Sequence, residues 1–148
     1  EVDCAGDIGT VQGDARRLRQ VLYNLLLNAV SFSEHGDTVR LSARREGETL
    51  TLTIEDNGPG IDADDRRRVF DPFVRGVAAD RRYQGAGLGL SLVKRFIELH
   101  GGTVALDSEP GRGTRITCTI PVRQPDVTLS PGPDGESRTI APTRAAAE

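Results

Sequence analysis

At 148 residues, with 36% hydrophobic and 28% charged content, the chain has the size and composition of one globular domain with a real core. A formal net charge of −3 gives no footing for nucleic-acid binding, and no run approaches the ~18 apolar residues of a membrane span. The opening EVDCAGDIGT does not read as a signal peptide, and Cys4 and Cys118 have neither metal nor redox spacing, which points to a reducing, cytoplasmic setting.

In chain order, Asp14 is placed to cap a helix running to about Ser33. Leu18, Val21, Leu22, Leu25, Leu26 and Ala29 form its apolar stripe at i, i+3, i+4 spacing. The turn EHGD leads into two alternating runs, Thr38–Arg45 and Thr49–Glu55, which read as a hairpin. Asp62 opens a short charged helix expected to reach about Phe70. Val74–Ala86 has no apolar periodicity and reads as a loop. Leu88–His100 is a second amphipathic helix ended by Gly101-Gly102. Thr103–Ser108 and Arg115–Pro121 are two further strands, the second with Cys118 facing the core. From about Gln124 the sequence is rich in Pro, Gly, Ser, Thr and Ala. Such a stretch buries too little to order itself. The expected organisation is a domain over 1–123 and a disordered tail or linker over 124–148. The expected fold is a two-layer α/β (α+β) sandwich: a mixed, mainly antiparallel sheet with about three helices on one face.

Four segments carry polar groups that can serve a ligand, although a solvated helix edge, an Asx-turn, a glycine hinge and a solvated charged loop would look alike. Asn24 and Asn28 share one helix face, with Arg17 and Ser31 on the same flank at the edge of the apolar stripe. An amide oxygen there can ligate Mg²⁺, although a solvated helix edge would look alike. Asp56 ends a β-rich run and precedes Asn57-Gly58-Pro59-Gly60. A partly desolvated carboxylate needs donors, and the exocyclic amine of adenine is one; an Asx-turn is the plainer reading. Gly58 and Gly60 allow close backbone approach. Gly85, Gly87 and Gly89 open the second helix, where free N–H groups and the positive dipole end suit a phosphate. No Walker loop or dinucleotide fingerprint is present. The loop before it carries Arg75, Arg81 and Arg82, which can close over phosphates. His35 lies in a turn, and His100 at a helix C-terminus, where a cation is favoured.

In order and spacing, RLRQVLYNLLLNA, DNGPGI, FDPF, GAGLGLSLVKRFIELHGG and the trailing GRGT resemble the catalytic and ATP-binding domain of bacterial two-component sensor histidine kinases. That domain belongs to the ATPase superfamily that includes Hsp90-type chaperones, type II topoisomerases and MutL-type repair proteins. The resemblance covers about residues 8–122 and implies ATP and Mg²⁺ as cofactors. It implies Asn28 as the magnesium ligand and Asn24 acting at the phosphates, where Arg75 and Arg82, on the reading of the loop given above, would also act. Asp56 would bind adenine, in a pocket shaped by Gly58 and Gly60, with Thr114 adding a hydrogen bond. Gly85, Gly87, Leu88 and Gly89 would cradle the lid side of the phosphates.

The implied activity is donation of the γ-phosphoryl group to a histidine on a separate helical dimerisation domain, through which the protein would form a homodimer. A response regulator would follow as partner. Neither His35 nor His100 lies in such a helical segment, so this chain alone is expected to be inactive as an autokinase. The family often places a basic residue where Ser31 stands. That departure keeps open a pseudokinase that regulates a partner kinase, a role some alphaproteobacterial relatives take. An ATPase clamp of the chaperone or repair class is disfavoured, since no Glu stands at Asn24's place to act as base for water.

Overall fold

The computed structural model describes residues 1–4, 6, 8–74 and 87–122. The expected tail over 124–148 lies outside the described residues, as do Arg75, Arg81, Arg82 and Gly85 and most of the expected 74–86 loop. The elements run β1 (Val2–Cys4), α1 (Ala15–Phe32), β2 (Val39–Glu46), β3 (Thr49–Asp56), α2 (Ala63–Arg66), α3 (Gly89–Leu99), β4 (Thr103–Glu109) and β5 (Gly113–Pro121). The five strands form one open sheet in the order β1-β2-β3-β5-β4. β1 runs parallel to β2, and every other neighbouring pair is antiparallel.

Alternation decides which side of each strand is buried. Leu50 and Ile54 of β3 and Ile116, Cys118 and Ile120 of β5 point into the core. Val21, Leu25 and Ala29 of α1 and Leu90, Val93 and Ile97 of α3 meet them from one face. Cys118 is fully buried, as its place in the alternation predicts, and burial pushes its thiol up to about 12. It is a packing residue, not a nucleophile.

α1 begins as expected: Asp14 Oδ1 accepts from the Arg16 and Arg17 backbone N–H groups at 2.9 and 3.1 Å. α1 and α3 run antiparallel. Arg17 lies over the Phe96 ring, 5.8 Å from its centre, and Asn24 Nδ2 donates to the Gly89 carbonyl at 3.3 Å. His100 closes the far end of this pair. Its Nδ1 lies 2.7 Å from the Phe96 carbonyl, and its Nε2 accepts the Asp14 N–H at 3.1 Å. The His100 ring thus ties the end of α3 to the start of α1 through both of its nitrogens.

Two expectations change. α2 is four residues long and does not continue to Phe70. Beyond it the chain tightens into i+3 bonds, Arg68 N–H to Asp65 O at 3.0 Å and Asp71 N–H to Arg68 O at 2.8 Å. These turn Val69 and Phe70 onto the core, and Pro72 forbids helix beyond Asp71. β1 is an element the sequence reading lacked. It is held by ladder pairing to β2 and by Glu1–Arg40 and Asp3–Arg44 ion pairs at 2.7 and 3.0 Å.

Candidate nucleotide site

Two ends of the sandwich bring the predicted residues together. At one end, Asp56 closes β3 opposite Thr114 of β5. Only 7% of Asp56 is exposed. Its Oδ1 accepts the Gly58 N–H at 3.0 Å, so the Asx-turn exists and fixes the carboxylate. Burial raises its pKa above the usual carboxylate range, while backbone N–H groups of Gly58 and Thr114 pull the other way. Asn57 Oδ1 accepts the Thr38 N–H at 2.7 Å and ties the turn to the start of β2.

The glycines of this turn are demanded by packing. Gly60 has φ +70°, and a Cβ there would lie 2.0 Å from the Glu109 carbonyl oxygen. Gly113 has φ +87°, and a Cβ there would lie 1.9 Å from the Asp56 carbonyl oxygen. In this structure Gly60 thus serves the close approach of the DNGPGI turn to the β4–β5 hairpin. Pro59 O accepts the Gly111 N–H at 2.8 Å across the same contact.

One residue here was missed from the sequence. Ser108 is 3% exposed, and its hydroxyl contacts Ile61 N, Gly113 O and Thr114 Oγ1 at 2.9, 2.8 and 3.1 Å. The available signal was its place after Val104 and Leu106 on the inward side of β4. A cavity of about 220 Å³ opens at this edge of the sheet, lined by Asp56, Ser108, Gly113 and Thr114 together with the charged residues Glu55, Asp107, Glu109, Arg112 and Arg115. That is below the roughly 300–1,000 Å³ of a small-molecule pocket, so this cavity is large enough for part of a nucleotide only.

The other end lies where α1 runs past the start of α3. Asn24 is held inside the protein, accepting from Gln20 Nε2 at 3.0 Å and donating to Gly89 O. One turn on, the half-buried Asn28 amide has no hydrogen-bond partner among the described residues. Ser31 turns its hydroxyl back onto the Leu27 carbonyl at 2.6 Å. The α3 N-cap is Leu88, whose side chain makes no cap hydrogen bond to the first turn. A Cβ on Gly89 would meet only Asn24 Cβ, at 4.0 Å. Among the described residues, packing does not require glycine there. Gly87, at φ +68°, accepts the Phe73 N–H at 3.0 Å, and a Cβ on it would crowd Val74 O at 2.9 Å.

A buried acceptor thus lies at one end, and a helix N-terminus whose N-cap residue gives no side-chain bond at the other. Residues 13–124 match the family model described as histidine kinase-, DNA gyrase B- and HSP90-like ATPase. The chain belongs to this ATPase family. Within the family it is 42% identical over 130 residues to the sensor protein DivL of Caulobacter vibrioides, covering 88% of this chain and 16% of that protein. It is 39% identical over 122 residues to the alginate biosynthesis sensor protein KinB of Pseudomonas aeruginosa, covering 82% and 20%. The chain thus spans about a fifth or less of these two relatives. Among solved structures, the mycobacterial sensor histidine kinase MprB superposes with TM-score 0.73 at 32% identity, covering 83% of this chain and 84% of that one. Full-length ShkA, solved in complex with AMPPNP, superposes with TM-score 0.70 at 30% identity, covering 88% and 27%. The family membership and these folds make the chain an ATP-binding catalytic domain of the histidine kinase kind.

Proposed function

We propose that this domain binds Mg-ATP and donates its γ-phosphoryl group to a histidine on a helical dimerisation domain, in cytoplasmic two-component signalling, with a response regulator as the next acceptor. The reading rests above all on the buried Asp56 carboxylate, fixed by its own turn in a cavity at one end of a cleft that has a helix N-terminus with no side-chain cap bond at the other. An acceptor-only group there favours a base bearing an amine and repels the 6-oxo group of guanine. Asn28 fits Mg²⁺ as a single neutral oxygen ligand. No group of three or more His, Cys, Asp or Glu suited to a metal exists among the described residues, so the ion would share phosphate oxygens and water. Asn24 holds Gly89 in place, and the α3 N–H groups stabilise phosphate charge. Arg75 and Arg82, read from the sequence before α3, would act on the same charge. Catalysis by these groups is positioning and electrostatic stabilisation; the nucleophile comes from elsewhere. Both ring nitrogens of His100 are engaged within the fold, which leaves it no role as acceptor.

Ser31 favours a second reading, an ATP-binding regulator with a weakened site, because its hydroxyl is spent on Leu27 and offers phosphate nothing.

Calorimetric titration with ATP and GTP, for wild type and Asp56→Asn, tests the base assignment. Loss of a charged hydrogen bond is worth roughly 1.5–3 kcal/mol, or about 10–150-fold in ATP affinity. Equal affinities in all four pairings would remove adenine from the site. Acid-labile label should appear on the protein's own phosphoacceptor domain when it is mixed with this one and Mg-ATP, and this chain alone should stay unlabelled. Stable label on His35 or His100 would end the donor reading.

A further inference from the structure

Ser108 belongs to none of the motifs that carry the family resemblance, yet it makes three polar contacts inside the base cavity. A hydroxyl has one proton to give and two lone pairs to offer. Gly113 O can only accept, so the Ser108 proton goes there, at 2.8 Å. Ile61 N–H can only donate, and takes one lone pair at 2.9 Å. The remaining contact, Thr114 Oγ1 at 3.1 Å, must then be a donation from Thr114 to Ser108. Ser108 is saturated, and the Thr114 proton is directed away from the cavity. Thr114 is the ladder partner of Asp56, with both side chains on the same face.

We propose that Ser108 is a positioning residue for base specificity: by fixing the Thr114 hydroxyl as a donor to itself, it makes Thr114 present only lone pairs beside the Asp56 carboxylate. The Asp56–Thr114 side of the cavity then offers only acceptors, with the Arg112 and Arg115 guanidinium groups elsewhere on its lining, and that side suits an amine-bearing base over a 6-oxo purine. This rests on the base-site reading above and adds a residue that would not touch the nucleotide. Without Ser108, the Thr114 proton is free to turn into the cavity and serve a 6-oxo group.

The test is titration with ADP and with IDP, its 6-oxo counterpart, in the presence of Mg²⁺. Wild type should prefer ADP by tenfold or more. Ser108→Ala should cut that preference at least fivefold, mainly through better IDP binding. Thr114→Val should cut it too, Thr114→Ser should keep it, and the Ser108→Ala/Thr114→Val double variant should go no further than the single ones. A Ser108→Ala that weakens both nucleotides equally and keeps the preference makes Ser108 scaffold only and overturns the proposal. If Ser108→Ala does not fold, the Thr114 pair decides: a Thr114→Val that keeps the full preference also overturns it. A wild type that binds ADP and IDP alike refutes the base-site reading itself, and this proposal with it.

Discussion

On the proposed reading, with a base end and a phosphate end, the two ends of the cleft are built on opposite principles. At the base end the protein satisfies itself. Asp56 is bonded within its own turn, Ser108 is saturated, and Gly60 and Gly113 sit where carbonyl oxygens leave no room for a Cβ. At the phosphate end it does not: the Asn28 amide lacks a partner among the described residues, the α3 N-terminus lacks a side-chain cap, and Gly89 leaves open space. Base recognition needs fixed polarity before the ligand arrives, since discrimination is a matter of which atom is donor. Phosphate recognition needs unmet donors that the ligand completes. Substitutions at the first end should therefore disturb stability as well as base affinity, whereas those at the second should act mainly on affinity.

The largest effect should come from Gly60→Ala. It joins a backbone clash to a left-handed φ, and either alone costs on the order of 1–3 kcal/mol. Urea unfolding should show a loss of 2 kcal/mol or more, estimated from those two costs; a near-neutral result would mean that the base end yields more readily than its packing implies. At the phosphate end, Asn28→Ala should leave the urea midpoint nearly unchanged while removing the Mg²⁺-dependent part of ATP affinity. A stability loss there would show that the amide is structural. Ser31→Lys should tighten Mg-ATP binding about tenfold while changing adenosine binding little, as one charge-assisted contact is worth roughly 1.5–3 kcal/mol. No gain would remove the support that Ser31 lends to the regulator reading.

Asp56 makes the comparison depend on pH. Its folded pKa lies above the ordinary 3.8 because burial disfavours the charge. The folded state therefore holds this proton more tightly than the unfolded chain. Asp56's contribution to stability then falls as pH rises from 3.8 through the raised value. Asp56→Asn should flatten that slope in apo unfolding experiments. Base affinity should run the other way, weakening as pH falls through the same window and the carboxylate is protonated. The smallest effect is expected from Gly89→Ala, which should stabilise the apo domain by about 0.5–1 kcal/mol through helix propensity, yet weaken ATP binding. A gain in both would show that no phosphate approaches Gly89.

The phosphate-end residues were legible from sequence because helix spacing is regular. Asn24, Asn28 and Ser31 fall on one flank by arithmetic, and α1 starts where Asp14 says it should. Asp56, at the end of an alternating strand, was legible for the same reason. Long-range closure was not. Nothing local marks Ser108 as the partner of Ile61, 47 positions earlier, or His100 as acceptor for the N–H of Asp14, 86 positions away. β1 escaped because three residues are too few to show alternation, and its parallel partner β2 lies beyond a whole helix. α2 was drawn too long because charge and a capping Asp mark where a helix begins, whereas the core contacts of Val69 and Phe70 decide where it ends.

The bond from Phe73 N–H to Gly87 O has a practical use. Phe73 and Gly87 both hold left-handed backbone, at φ 64° and 68°, and the bond clamps the chain on either side of residues 74–86. The bond thus holds Phe73 and Gly87 beside one another. Loop closure varies only slowly with length, by about 0.6 kcal/mol per doubling. The clamp is therefore a natural splice junction. Foreign sequence of quite different length, such as a sensor peptide or a ligand-responsive insert, could be exchanged between Val74 and Gly87 with little effect on the fold. Its state would be reported two residues downstream, where α3 begins.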